Sequence, residues 1–105
     1  MTDWVRVADE NDIVDDEAFA SVLGTEEIAL YRFEGEIYAI GDLCTHEAVR
    51  LSDGWLEGGR IECPLHQSCF EIRTGKVIEG GPATADVPAY AVKIEDGAVF
   101  VRRDA

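Results

Sequence analysis

Cys44-Thr45-His46, then sixteen residues, then Cys63-Pro64-Leu65-His66: this stretch gathers both histidines of the chain and two of its three cysteines into two short pairs. Thiolate and imidazole are the ligand types used by zinc and by iron–sulfur clusters. Folded together, the pairs offer two sulfurs and two nitrogens. Buried cysteines beside satisfied core histidines fit this pattern poorly, because both pairs fall in glycine-rich sequence between predicted strands. A Cys–His nucleophile would need a third, orienting group, and no motif supplies one. A structural zinc fits the ligand count. Zinc-binding pairs, however, usually separate their ligands by two to four residues, and Cys44 and His46 have one between them. The order Cys…His, Cys…His also allows an asymmetric binuclear site, with both sulfurs on one metal and both nitrogens on a second.

The residues around the pairs carry a resemblance to a known family. Cys44-Thr45-His46-Glu47 and Cys63-Pro64-Leu65-His66-Gln67, with Leu51-Ser52-Asp53-Gly54 between and Phe70–Lys76 after, resemble Rieske-type [2Fe–2S] ferredoxins. The match is to the ferredoxin component of bacterial aromatic-ring-hydroxylating dioxygenase systems. It is tightest over about residues 36–82 and collinear over the remainder.

The resemblance implies an all-β Rieske fold: an antiparallel sandwich or barrel-like base carrying a small, loop-rich cluster-binding insert. It implies one [2Fe–2S] cluster, with Cys44 and Cys63 on one iron and His46 and His66, facing solvent, on the other. It implies a one-electron carrier without a substrate site of its own. Electrons would come from a flavin-containing NAD(P)H reductase and pass to a terminal oxygenase. Two rivals are a small Rieske-fold subunit of a reductase, against which the intact ligand set argues, and a zinc-stabilised interaction module.

The chain's 105 residues suit a single domain over 1–105, with the base at about 1–42 and 83–105 and the insert at about 43–82. A net charge of −13 disfavours nucleic acid and anionic membrane surfaces as partners. That charge serves either solubility or steering toward basic docking surfaces. No apolar run approaches a membrane span, and Met1-Thr2-Asp3-Trp4 lacks a signal segment. An odd cysteine count argues against a disulfide framework. The expectation is a cytoplasmic monomer.

Trp4–Ala8 alternates like a first strand. Asp9–Glu17 holds six acids in nine residues but lacks the glycine and the closing glutamate of a calcium loop, so it reads as a solvated acidic loop. Phe19–Leu23 predicts a short strand, and Glu27–Phe33 with Ile37–Ile40 a hairpin across Glu34-Gly35-Glu36. Apolar side chains fall on both faces of that hairpin, which predicts cover on both sides. Short pieces follow at residues 54–56, 60–63, 70–72 and 76–78. A closing hairpin, Tyr90–Ile94 with Ala98–Val101, turns at Asp96-Gly97.

Cys69 reads as a free thiol near the cluster, outside the ligand set. Glu47, Gln67 and Trp55 are candidate neighbours of the histidine tips. High-potential Rieske proteins, which this chain resembles around the ligands, add a cysteine in each loop where this chain has Val49 and Leu65. They also place a sulfur-directed serine and tyrosine where this chain has Ser68 and Phe70. Without the bridge and the tyrosine hydroxyl, the expected potential lies near the low end of the Rieske range, roughly −150 mV.

Overall fold

The apolar run Ile28-Ala29-Leu30-Tyr31 cannot alternate between core and water, so the fold must cover both of its faces. The computed structural model describes residues 4–45, 49–65, 67–78, 81 and 83–103, and it shows how this is done. The strands are β1 (Val5–Asp9), β2 (Phe19–Leu23), β3 (Glu26–Phe33), β4 (Glu36–Gly41), β5 (Trp55–Glu57), β6 (Arg60–Glu62), β7 (Cys69–Glu71), β8 (Val77–Ile78), β9 (Ala89–Glu95) and β10 (Ala98–Arg103). Single 3₁₀ turns occupy Glu10–Asp12 and Leu51–Asp53.

Six strands form one antiparallel sheet in the order β1-β10-β9-β4-β3-β2. Its two edges approach each other, and the Ser21 hydroxyl on β2 donates to the Val7 carbonyl on β1 at 2.8 Å. The sheet is thereby nearly closed into a barrel. The remaining four strands form a second antiparallel sheet, β5-β6-β7-β8. Both sheets together give the all-β arrangement expected from the sequence, a barrel-like base with a small second sheet beside it.

Strand β3 is the wall between two cores. Ile28 and Leu30 join Ile13, Ala39, Val99 and Val101 in one cluster, inside the barrel. Ala29 and Tyr31 point the other way and join Ile40, Leu51, Ile61, Phe70 and Ile72 beneath the second sheet. Each large apolar side chain so buried contributes roughly 1.5–3 kcal/mol. The unalternating sequence of β3 follows from this double burial.

Two hairpins turn at Glu34-Gly35 and Asp96-Gly97, where all four residues have positive φ, between 52° and 82°. Two-residue hairpin turns of this hand suit the twist of the flanking strands. The first is one residue tighter than the sequence reading, because Glu36 already pairs with Phe33. The acidic loop is organised by a cation through its carbonyls: Arg32 Nε donates to Ile13 O at 2.7 Å, and Nη2 to Glu10 O at 3.0 Å. Ile13 plugs into the barrel while Asp9, Asp12, Asp15, Asp16 and Glu17 stay exposed. Among the described residues no helix is long and apolar enough to cross a membrane.

Candidate metal centre

Each of the two cysteines opens a short loop, and both loops close in the same way. Cys44 N donates to Val49 O at 2.9 Å, and Cys63 N donates to Ser68 O at 2.7 Å. In both, the bond spans five residues and brackets the position of a histidine. His46, Glu47 and His66 themselves lie outside the described residues. Consistent with that, no group of three metal-ligating side chains gathers among the described ones.

The two sulfurs share one environment. Cys44 is 5% exposed and Cys63 fully buried, and both belong to the core cluster under the second sheet with Leu51, Phe70 and Ala83. No disulfide joins them. Two reduced thiols held in one apolar cluster, each at the foot of a loop, suit a pair of thiolate donors to a metal centre.

The polar group placed deepest beside them is Ser68. Its side chain is buried, and its Oγ accepts the Ala83 N–H at 2.9 Å, which leaves the hydroxyl proton to be donated elsewhere. This fits a serine directed at cluster sulfur. A Cβ on Gly81 would lie 2.7 Å from Ser68 Cα and 2.9 Å from its Oγ, so glycine is required for the backbone to lie this close to the serine. Gly80 and Pro82, on either side of Gly81, lie outside the described residues.

Asp42 fixes the root of the first loop. It is 1% exposed, and its two carboxylate oxygens accept the Ser52 N–H and the Ser52 hydroxyl, both at 2.7 Å. Its backbone carbonyl takes Leu51 N–H, and its N–H reaches Glu27 O. Burial pushes its carboxyl above the ordinary range, while the two bonds from Ser52 pull it back. Farther along, Thr45 Oγ1 donates to Ala85 O at 2.7 Å and ties the Cys44 loop to the segment entering β9. Just after the Leu51–Asp53 turn, a Cβ at Gly54 would sit 1.8 Å from Glu62 O, so the turn rests directly on β6.

The remaining candidates separate clearly. Cys69 is half-buried on β7, its Sγ 3.7 Å from Gln67 O, and burial followed by the Glu62 carboxylate pushes its thiol up. Trp55 sits on the edge strand β5 and is 60% exposed. Gln67 is exposed, with φ +62°. Asp42 and Thr45 escaped the sequence reading. Their partners lie 10 and 40 residues away, where no local motif announces them.

The arrangement matches known proteins across nearly the whole chain. The family profile described as Rieske [2Fe–2S] domain covers residues 3–91. The ferredoxin component of the naphthalene 1,2-dioxygenase/salicylate 5-hydroxylase systems of Ralstonia sp. is 46% identical over 101 residues, 96% of each chain. The ferredoxin of Sphingomonas yanoikuyae B1 superposes with a TM-score of 0.89 at 32% identity, covering 96% of this chain and 99% of that one. A ferredoxin captured with the reduced oxygenase of carbazole 1,9a-dioxygenase superposes at 0.86 with 31% identity, over 96% of this chain and 94% of that one. Its cofactor is therefore a Rieske-type [2Fe–2S] cluster, and the chain belongs to the Rieske [2Fe–2S] domain family as one of its ferredoxins.

Proposed function

We propose that this chain is the ferredoxin component of an aromatic-ring-hydroxylating dioxygenase system. It takes single electrons from a flavin-containing NAD(P)H reductase and delivers them to a terminal oxygenase, and it has no catalytic role of its own. The observation that carries the reading is the matched pair of cysteine loops, each closed by a backbone bond five residues long around a histidine position. Relatives named as ferredoxin components of such systems, and a related ferredoxin seen with its oxygenase, support it.

In this reading Cys44 and Cys63 hold one iron, and His46 and His66 hold the other. The bound cluster supplies reversible one-electron chemistry. The chain keeps the sulfur side dry with Leu51, Phe70 and Ala83, and it offers Ser68 as a hydroxyl donor toward that side. Residues 1–105 act as a single domain, a cytoplasmic monomer, with the insert at about 43–82 set on the base.

Metal analysis is the test. Protein made with iron supplied should be red-brown and hold about two irons and two acid-labile sulfides per chain. Zinc without labile sulfide would sink the ligand assignment. Turnover of a reductase–oxygenase pair that depends on added holoprotein then tests the carrier role.

A further inference from the structure

The two cysteine loops are tied to each other without a covalent bond. Val49 and Leu65 stand where the high-potential relatives carry the two cysteines of a loop-to-loop bridge, so that bridge cannot form here. Instead, a side chain from each loop bonds to the same short stretch of backbone. Thr45 Oγ1, beside Cys44, donates to Ala85 O at 2.7 Å. Ser68 Oγ, where the Cys63 loop closes, accepts the Ala83 N–H at 2.9 Å. Along the chain only Thr84 separates the two attachment points.

The stretch, Ala83–Pro88, is itself fixed to the fold at its other end. Asp86 Oδ1 accepts the Val77 N–H at 2.9 Å and so satisfies a donor of the edge strand β8. Val87 N donates to Gly75 O at 2.9 Å, and Pro88 O accepts the Gly41 N–H at 2.8 Å. Gly75 has φ +76°, and a Cβ there would sit 2.2 Å from Val87 O, so glycine is required for the two backbones to meet. Ala83 and Val87 are buried in the core that contains both cysteines, whereas Thr84, Ala85 and Asp86 are exposed. The stretch is a strap: two apolar side chains pin it from beneath, β8 and β4 hold one end, and both cysteine loops hang on the other.

Resting on the ligand assignment proposed above, we propose that this strap fixes the spacing of the Cys44 and Cys63 loops, the task a covalent bridge performs elsewhere, with Thr45 and Asp86 as its positioning residues. Thr45 passes the strap's hold to the backbone between Cys44 and His46. Asp86 bonds to β8 rather than to either loop, and it acts through the adjacent Ala85. Groups outside the ligand set that orient the ligands typically change metal retention about 10–100-fold when they are lost. Both of these residues are exposed, which places them at the low end of that range.

The test follows loss of visible absorbance from the holoprotein under a chelator, in Thr45→Val, Thr45→Ser, Asp86→Ala, Asp86→Asn and the double variant Thr45→Val/Asp86→Ala. Thr45→Val and Asp86→Ala should each shorten the half-life of the cluster by about five- to tenfold. Both should also broaden the electron paramagnetic resonance lines of the reduced cluster, because the ligand geometry spreads. Thr45→Ser keeps the hydroxyl and Asp86→Asn keeps the acceptor oxygen, so each should restore half-life and line width together. Since both residues work through one strap, the double variant should lose no more than the worse single. Fold-losses that multiply in the double would show two independent local effects and overturn the proposal. It is overturned equally by unchanged half-lives, by Asp86→Asn behaving like Asp86→Ala, which marks an effect of charge alone, or by faster loss with unaltered resonance lines, which marks ordinary destabilisation. Should Thr45→Val yield no holoprotein, the two Asp86 variants decide by the same criteria. Wild-type protein that holds no [2Fe–2S] cluster would instead bring down the ligand assignment, and the role of the strap with it.

Discussion

Asp42 holds Ser52 by both of its carboxylate oxygens, one taking the backbone N–H and the other the hydroxyl, each at 2.7 Å. The pair clamps the root of the Cys44 loop to the 3₁₀ turn that leads into β5. Hydrogen bonds to a charged group contribute roughly 1.5–3 kcal/mol, and a buried carboxylate left without them costs more. Ser52→Ala should therefore destabilise the protein by about 1–2 kcal/mol in denaturant unfolding, and Asp42→Ala by about 3 kcal/mol. Both should shorten the life of the bound cluster under chelator. Equal and negligible losses would mean that the loop is held elsewhere.

Phe70 is fully buried in the cluster that contains both candidate sulfur ligands. A tyrosine there would add a donor on the sulfur side of the site. Such a bond, at roughly 1.5–3 kcal/mol, corresponds to at most about 60–130 mV for a one-electron couple. Phe70→Tyr should raise the potential by tens of millivolts from a wild-type value near −150 mV. A wild-type potential above zero in a voltammetric titration would contradict the assignment to dioxygenase ferredoxins.

Tyr31 presents the opposite situation. Its hydroxyl is buried and has no hydrogen-bond partner among the described residues. Burial, with the nearby Asp42 charge, pushes its pKa far up, so it stays neutral throughout the working range. A desolvated, unpaired hydroxyl costs about 1–3 kcal/mol. Tyr31→Phe should leave stability unchanged or raise it by about 1 kcal/mol in thermal unfolding. A loss above that would reveal a partner.

Cys69 gives a pH-dependent readout. Burial and then Glu62 favour its neutral thiol, so its folded pKa lies above the ordinary value. The stability this group contributes is present below the unfolded thiol pKa and fades as pH rises through the folded one. Alkylation by iodoacetamide should accordingly run slower than for an unhindered peptide thiol at pH 8, with its rate midpoint shifted upward. Glu62→Gln should move the midpoint back down.

Much of this was legible in the chain because the signals were local. The turns at Glu34-Gly35 and Asp96-Gly97 announce themselves by residue type, and the apolar doubling of Ile28–Tyr31 demanded cover on both faces. The spacing of Cys44-Thr45-His46 and Cys63–His66 pointed to a metal centre, and its ligand set stands as a proposal. What stayed hidden depends on contacts between distant segments. Asp42 looked like one more acid among 22 until the fold buried it against Ser52. Arg32 shows no sign in sequence that it organises the acidic loop through two carbonyls. Trp55 read as a candidate histidine neighbour, and its place on the outer face of an edge strand follows from a register that sequence does not print.

The division of β3 between two cores has a consequence for how the molecule comes apart. Ile28 and Leu30 belong to the barrel interior, while Ala29 and Tyr31 belong to the side that holds the cysteines. Stripping the metal loosens the second set of contacts and leaves the first intact, so the two units should report separately in native-state hydrogen exchange. Amides of β9 and β10 should keep their protection in metal-free protein, and those of β5 to β8 should lose it. Strand β3, anchored on one side and released on the other, then becomes the seam along which the fold opens.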